Sequence, residues 1–475
     1  MSLLSFASEL VLILGGGIVF AISLGAGRGR PAARAAAVVA LLNLGVCLAS
    51  VTVQGDLFCH AYRVDAYSQL FKCFIALGLA AVVIFGSKLK DIREQIRPEY
   101  FFFLILGALG LTMLVSSVEL ISLFVALELS SYALYLLVPM RRERPGLRMQ
   151  MESAAKYVMF GIVSTGFLLF GMSYLYGLTG STYFNEIAPA LAQRWHEPAA
   201  LAGVILVVAA LLFKLAAFPM HLWAPDVYQG ASNETTAFIA AVPKLAAVAV
   251  LIRFLICAGP SSATLSLVLM AGSLGSMFFG NLAALVQKDA KRMLGYSSIA
   301  HAGYVLIGLV TLKAAGFAAA MFYIFGFVAM SLPAFLVICQ VSKDGENVSI
   351  DDLSGLHKRN PMAAFIMGAS MFALAGIPPF VGFIGKFLLL SEALRGGFVL
   401  LVVLAALNTA IGIYYYLTVV RVMYFADPGD RSDVRLDRGA AITGMALIAI
   451  VTLLGVVPGR LLQAAIDSVS KTILY

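Results

Sequence analysis

Residues 376–387 read GIPPFVGFIGKF and lie inside an apolar run that extends from residue 361 to residue 393. Pro378 and Pro379 each lack a backbone donor, so a helix is kinked or broken there. Within a lipid bilayer, broken backbone is tolerated only where protein buries it or where it lines a wet cavity. Lys386 follows the break in the same run. The stretch therefore predicts a discontinuous transmembrane helix that carries a buried lysine.

A second apolar run, from residue 199 to residue 219, ends in a similar way. Its last residues read LLFKLAAFP, residues 211–219, and place Lys214 five residues before Pro219. Two broken helices in one chain are typical of transporters. We expect these two runs to be the seventh and the twelfth spans of a multi-pass protein.

The composition also indicates an integral membrane protein. Of 475 residues, 61% are hydrophobic and only 12% are charged, about half the charged share of soluble domains. The apolar runs are long and unbroken, which favours helices over the alternating segments of a β-barrel. We predict an all-α membrane fold of about fourteen transmembrane helices. The predicted spans are 4–25, 33–52, 66–87, 99–117, 119–139, 153–177, 199–219, 236–257, 262–286, 293–312, 316–341, 361–393, 397–424 and 440–457.

The spacing of charged residues indicates an internal repeat. Glu128 and His301 are 173 residues apart, and Lys214 and Lys386 are 172 residues apart. An offset of five helices, which is an odd number, makes the two units inverted. The predicted division is an N-terminal three-helix segment (1–98), two five-helix repeats (99–258 and 259–425) and a C-terminal helix and tail (426–475).

Lysine and arginine residues predict the orientation. With the N-terminus outside, the inner loops hold 20 of these residues and the outer loops hold 6, as the positive-inside rule requires. An even number of spans then places both termini on the outer side. This bias accounts for the net charge of +8, so we expect a lipid bilayer and no nucleic acid as partner.

Five of the ionisable side chains within the predicted spans are the main candidates for chemistry. A charge at the bilayer centre costs at least about 2.5–3.5 kcal/mol, so each of them indicates a function. A buried lysine can have a pKa close to neutral pH, and histidine titrates there unaided, whereas arginine stays charged. We predict that these residues form a proton relay. They are Glu128, Lys214, Lys244, His301 and Lys386.

Simpler explanations exist for several of these residues. Glu128 could form a structural ion pair or a hydrogen bond that packs two helices. Lys214 could snorkel outward from a helix end. His301 could be a core histidine that bonds a serine, although the hydroxyl groups of its neighbours could also order a water chain.

Three further residues are possible members of the relay. Lys156 lies only a few residues inside span six, so snorkelling is a serious alternative. Asp226 and His221 could form a gate at the inner mouth, although helix capping also explains Asp226. Lys72 lies near a span end and is expected to snorkel, and Arg253 has no assigned role.

The sequence indicates that this chain binds no cofactor and no metal. Its five cysteines are scattered and form no CxxC pair, which argues against an iron–sulfur cluster or a zinc site. No GxGxxG opens a βα unit and no P-loop is present. If the protein takes part in redox chemistry, the cofactors are expected on other chains.

Four segments together resemble the antiporter-like membrane subunits of NADH-quinone oxidoreductase, respiratory complex I, and among these subunit N. Residues 213–230 are similar to the core signature of these subunits. Residues 152–157, 291–304 and 376–387 resemble the sixth, tenth and twelfth helices of subunit N. Lys386 separates the chain from subunit M, which usually has glutamate there, and the short C-terminus separates it from subunit L. Asn233-Glu234 departs from the proline- and alanine-rich stretch that many relatives have at this point.

The resemblance implies a proton-translocating subunit of a bacterial inner membrane. Quinone reduction elsewhere in the complex would drive the protons, and NADH, FMN, iron–sulfur clusters and quinone would bind other subunits. The partners would be subunit M and the small membrane-arm subunits. Glu128 would bias Lys214, whose proton would pass through Lys244 and His301 to Lys386 and leave on the outer side. The enzyme activity would belong to the complex, with no redox chemistry in this chain.

Three alternatives stay open. A subunit of a multi-subunit cation/proton antiporter of the Mrp type, or of a membrane-bound hydrogenase, would share the fold and the broken helices. A scaffold that only fills the membrane arm would not need buried lysines, which are costly when idle. A stand-alone solute carrier would need residues for a specific solute, and none is evident.

Overall fold

The computed structural model describes residues 3–25, 29–143, 149–258 and 262–473. Most of this part of the chain is helical, with connecting loops and one small antiparallel hairpin of strands β1 (Gly55–Leu57) and β2 (Tyr62–Val64). The helices are α1 (Ala7–Ser23), α2 (Gly29–Ala49), α3 (Ala66–Phe85), α4 (Arg97–Ser116), α5 (Leu120–Leu137), α6 (Met149–Thr179), α7 (Phe184–Gln193), α8 (Pro198–Leu215), α9 (Trp223–Gly230), α10 (Asn233–Ala258), α11 (Ala263–Ala284), α12 (Ala290–Val310), α13 (Ala314–Val341), α14 (Leu356–Arg359), α15 (Pro361–Ala375), α16 (Val381–Arg395), α17 (Val399–Phe425), α18 (Arg438–Val456) and α19 (Gly459–Ile473).

Within these residues, 13 helices are long and apolar enough to cross a membrane. Each of them corresponds to a predicted span. The remaining predicted span, 361–393, is divided between α15 and α16, which have 15 residues each. The all-α membrane fold is thus confirmed. The count of fourteen, the inverted repeats, the division into segments and the orientation stay predictions, and Arg28, Arg144 and Arg148 of the charge count lie outside the described residues.

Both predicted breaks are present, and each begins with a left-handed residue. Helix α8 ends at Leu215, and Ala216 has φ 60°. Helix α15 ends at Ala375, and Gly376 has φ 86°. In each case the left-handed residue donates its backbone N–H back to the last turn, as helix C-terminal caps do. The prolines Pro219, Pro378 and Pro379 follow within the non-helical segments.

Polar side chains begin several of the spans. The Asp65 carboxylate accepts from the Ser68 backbone N–H at 2.8 Å at the start of α3. Asp289 does the same for Arg292 at 2.8 Å at the start of α12. Such caps satisfy donors that a helix N-terminus would otherwise leave unpaired. These caps fix where α3 and α12 begin, and therefore how far inside the protein Lys72 and His301 lie.

The centre of the molecule is formed by α10, α12 and α13. Protein encloses these helices almost completely, with 94% of the apolar window of α10 and 100% of that of α13 buried. Pro243 and Pro333 lie inside them without ending the helix. The outer helices α1, α2, α6, α17 and α18 instead expose many large apolar side chains, as a lipid-facing surface does. The buried ionisable groups therefore lie in protein and not against lipid.

Candidate proton-relay site

Lys214 lies in the last turn of α8, immediately before the first break. Its Nζ atom is buried and donates to the hydroxyl groups of Ser130 at 2.8 Å and Ser131 at 3.0 Å, both on α5. The snorkelling alternative is therefore wrong for Lys214, because the ammonium group points into the protein.

Glu128 lies two residues before Ser130 on α5. Among the described residues no ion pair joins Glu128 to Lys214; Oε1 of Glu128 accepts from the Thr165 hydroxyl of α6 at 2.6 Å. The carboxylate is nevertheless close enough to act on Lys214 electrostatically. The helix-packing hydrogen bond weighed for Glu128 is thus present, and its structural ion pair is absent from the described part of the chain.

Lys244 lies near the middle of the enclosed helix α10. Its Nζ atom donates to the backbone carbonyl oxygen of Ser298 on α12 at 3.1 Å and lies 5.5 Å from the centre of the Phe327 ring. The side chain is 1% exposed. No carboxylate pairs with it among the residues described here. Lys244 thus has a hydrogen-bond acceptor but, in the described ranges, no carboxylate that neutralises its charge.

His301 is held between two tyrosines. Its Nδ1 atom lies 2.6 Å from the Tyr323 hydroxyl oxygen, and its Nε2 atom lies 3.0 Å from that of Tyr416. A neutral imidazole donates at one nitrogen and accepts at the other, so the ring can receive a proton on one side and release it on the other. The Tyr416 hydroxyl also bonds Ser297. The alternative of a core histidine that bonds a serine directly is therefore wrong, because Tyr416 lies between His301 and Ser297.

Lys386 lies in the second turn of α16, beyond the second break. Its Nζ atom donates to the backbone carbonyl oxygens of Ala375 at 3.0 Å and Leu374 at 3.2 Å. It also lies 4.8 Å from the centre of the Tyr304 ring. Lys386 thus uses the free carbonyl groups at the end of α15, whereas Lys214 uses hydroxyl groups of another helix.

The possible further members of the relay lie at the predicted inner face. Lys156 Nζ lies 2.7 Å from Asp226 Oδ2 and 2.7 Å from a Glu152 oxygen, and Asp226 Oδ1 lies 2.6 Å from Arg292. Asp226 therefore joins α6, α9 and α12. Its carboxylate bonds these two cations and caps no helix, so the capping explanation is wrong. Burial raises the pKa of Asp226, but the hydrogen bonds from Lys156 and Arg292 outweigh it and the pKa is lowered.

His221 lies apart from the ion pair of Asp226. Its ring is buried, stacks on Phe218 at 5.5 Å and meets Phe279 edge-on at 4.4 Å. Neither ring nitrogen has a hydrogen-bond partner among the described residues. The structure does not bring His221 and Asp226 into contact within that part of the chain, so a gate made of this pair receives no support.

Two groups that the sequence left aside prove to be paired. Lys72 does not snorkel: its Nζ atom lies 2.9 Å from Glu9 of α1, with 1% and 0% of the two side chains exposed. Arg253 donates to both carboxylate oxygens of Asp65, at 2.8 Å and 2.9 Å. The sequence contained one signal for the pair of Lys72 and Glu9, because Glu9 is a glutamate inside the first apolar run.

No group of three or more His, Cys, Asp or Glu side chains that could hold a metal ion occurs in the described ranges. The absence of a metal and of cofactors from this chain stays a prediction.

Comparisons with known proteins give a consistent result. The family described as "NADH:quinone oxidoreductase/Mrp antiporter, TM" matches residues 117–412. A protein of Opitutus terrae named NADH-quinone oxidoreductase subunit N 2 is 49% identical over 470 residues, which are 99% of this chain and 98% of that protein. A chain of respiratory complex I from Thermus thermophilus, solved with bound aureothin, is 32% identical with a TM-score of 0.84, covering 96% of this chain and 99% of that one. A chain of the Mrp complex from Dietzia sp. has a TM-score of 0.89 at 20% identity, covering 100% and 98% of the two chains, and shows the fold alone.

Proposed function

This chain belongs to the NADH-quinone oxidoreductase subunit N family, and from this premise we propose that it translocates protons as a membrane-arm subunit of such a complex. The observation that carries the proposal is the set of four buried basic groups, Lys214, Lys244, His301 and Lys386, none of which has a carboxylate partner among the described residues. A buried charge without a counter-ion is costly. Groups of this kind favour a function that alternates between charged and neutral forms.

The proton route follows the order of these groups. Lys214 bonds serine hydroxyl groups and His301 bonds tyrosine hydroxyl groups, both of which can hand on a proton. Lys244 and Lys386 bond backbone carbonyl oxygens, which only accept hydrogen bonds. Water would bridge the remaining gaps, as it does in polar cavities of membrane proteins. Lys386 is the last group of the proposed route, and protons leave from it on the outer side.

Glu128 would set the charge state of Lys214. A carboxylate near an ammonium group favours the protonated form of the lysine. Any movement of α5 against α8 changes their separation and therefore the affinity of Lys214 for a proton. Quinone reduction in other subunits would produce such electrostatic changes along the arm.

Lys156 and Asp226 would close the predicted inner mouth. Asp226 bonds both Lys156 of α6 and Arg292 of α12, so it connects the two predicted repeats on that side. Breaking one of these ion pairs would allow water to reach the lysines behind it. Access from this side would then alternate with release from the other.

The further expectations about the complex follow from this proposal. NADH, FMN, iron–sulfur clusters and quinone would bind other subunits, and subunit M and the small membrane-arm subunits would be neighbours. The chain would lie in a bacterial inner membrane with both termini on the outer side. The redox activity would belong to the complex.

A second candidate function is that of a cation/proton antiporter subunit of the Mrp type. The likeness to the Mrp chain of Dietzia sp. favours this only at the level of fold, since the two sequences are 20% identical. In both candidate functions the same buried lysines carry protons, but the chain would assemble with different partner subunits.

The assembly is tested by tagging the C-terminus and purifying the protein from mild detergent. We expect NADH-quinone reductase activity together with chains that carry flavin and iron–sulfur clusters. Co-purification with only other antiporter-like chains, and no redox activity, would move the assignment to a cation/proton antiporter.

A further inference from the structure

Glu234 lies in the first turn of α10. The residue is only 4% exposed. Its Oε2 atom is buried and has no hydrogen-bond partner in the described part of the chain. A helix N-terminus favours a carboxylate, but a buried oxygen without a donor costs free energy. Stabilisation of the helix N-terminus therefore does not by itself explain a buried glutamate at this position.

The space for this side chain is made by a glycine. Gly86 ends α3, and a Cβ atom there would lie 2.9 Å from Glu234 Cγ and 2.6 Å from the Val82 carbonyl oxygen. The Glu234 side chain thus packs directly on the backbone at the end of α3. Tyr100 of α4 and Cys339 of α13 are also close enough for the charge of Glu234 to act on them electrostatically.

Three charged groups act on the Glu234 carboxylate from neighbouring elements: Lys291, Asp91 and Lys90. Neither lysine forms an ion pair with it. Lys291 Nζ donates to a backbone carbonyl oxygen of Ala231 at 2.7 Å. Lys90 Nζ similarly donates to backbone carbonyl oxygens. The carboxylate therefore lies in a field of two cations and one anion, with one oxygen left for a proton or a water molecule.

Hydroxyl groups of α12 and α9 lie close to Lys244. Lys244 follows Glu234 by ten residues, about 15 Å along the same helix. Its Nζ atom donates to the Ser298 carbonyl oxygen at 3.1 Å, and the Ser298 hydroxyl donates to the Tyr228 hydroxyl at 3.1 Å. Tyr228 belongs to α9, the helix that leads into α10, so these hydroxyl groups lie between Lys244 and the predicted inner face.

We propose that Glu234 takes up protons at the predicted inner face and supplies them to Lys244. A hydronium ion gives its proton to a carboxylate oxygen of Glu234 and becomes water. The resulting carboxylic acid then gives the proton to water or a hydroxyl on the way to the Lys244 amine, so no other bond is made or broken. This inference rests on the proposed function and adds the residue at which uptake occurs.

The test is proton pumping by the purified complex in sealed vesicles, driven by NADH, with the Glu234→Gln variant. Glutamine keeps the size and loses the titratable oxygen. We expect the number of protons moved per NADH to fall by at least half. Glu234→Asp should recover most of the pumping. Asp430→Asn, which changes an exposed carboxylate of the α17–α18 loop, should pump as the wild type does.

The Lys244→Met variant separates the hypothesis that Glu234 takes up protons from the hypothesis that the buried lysines relay them. If Glu234→Gln pumps fully while Lys244→Met does not, the uptake role of Glu234 is wrong and the relay stands. If both pump fully, both are wrong. Should Glu234→Gln fail to assemble, the wild-type complex can be treated with dicyclohexylcarbodiimide, which modifies protonated carboxyl groups in apolar surroundings. Modification of Glu234 is expected, and its absence would overturn the proposal.

Discussion

The Nζ atom of Lys386 lies 3.0 Å from the backbone carbonyl oxygen of Ala375. The lysine of α16 thus donates across the break to the last residue of α15. This contact joins the two halves of the discontinuous span through the group that is proposed to carry the proton. A change in the charge of Lys386 would therefore alter the bond that holds the break.

Gly376 tests this connection. It has φ 86°, and a Cβ atom there would lie 3.1 Å from Lys386 Cδ. Gly376→Ala should lose about 1–3 kcal/mol of stability through backbone strain and should also lower proton pumping, because the lysine must move. Gly397→Ala is the matched control, since Gly397 has φ 84° and nothing within 4 Å of the Cβ position. Equal pumping by the two variants in vesicles would contradict the account of Lys386.

The hydrogen bond between Tyr416 and His301 gives a second prediction about the proton route. Its hydroxyl lies 3.0 Å from His301 Nε2, and phenylalanine removes that hydroxyl without changing the ring. We expect Tyr416→Phe to lower the number of protons pumped per NADH while the complex assembles normally. Tyr414→Phe, at an exposed position of the same helix, should have no effect. Unchanged pumping in Tyr416→Phe would remove Tyr416 from the route.

The buried pair of Lys72 and Glu9 tests stability and not transport. Removing one partner of a buried pair leaves the other charge uncompensated, at a cost of about 3–5 kcal/mol. Lys72→Met should therefore lower the thermal stability of the complex strongly, and the double variant Glu9→Gln/Lys72→Met should recover much of the loss. A double variant as unstable as the single one would show that the pair does not act as a unit.

Asp226 gives a dependence on pH. Its pKa is lowered in the folded protein because Lys156 and Arg292 outweigh burial. The ion pairs thus contribute stability above the ordinary aspartate pKa of about 3.9, and this contribution is lost as the pH falls through the lowered pKa. Hydrogen exchange of residues 223–230, corrected for intrinsic rates, should be faster in Asp226→Asn than in the wild type between pH 5 and 8. Equal exchange in that range would exclude a role for the ion pairs in closing this segment.

Much of this site follows from the sequence alone. The prolines near Lys214 and Lys386 indicate broken helices with buried charges, so these two lysines could be identified without coordinates. Proline alone does not predict a break, because Pro243 and Pro333 lie in apolar runs and end no helix. The hydrogen-bond partners of Lys214 and His301 could not be identified without coordinates, because Ser130 and Tyr416 come from helices distant in sequence. Lys72 was misjudged because its depth depends on Glu9 of another helix. The amphipathic helices α7 and α19 were missed because they are too polar to read as spans.

The most direct test of the relay measures the protons pumped per NADH by the complex in sealed vesicles, with Lys214→Ala, Lys386→Ala and the exposed control Lys313→Ala. The account predicts that both buried-lysine variants assemble, oxidise NADH and pump markedly fewer protons, while the control matches the wild type. Full pumping by both buried-lysine variants would contradict the proposal that these residues carry the proton.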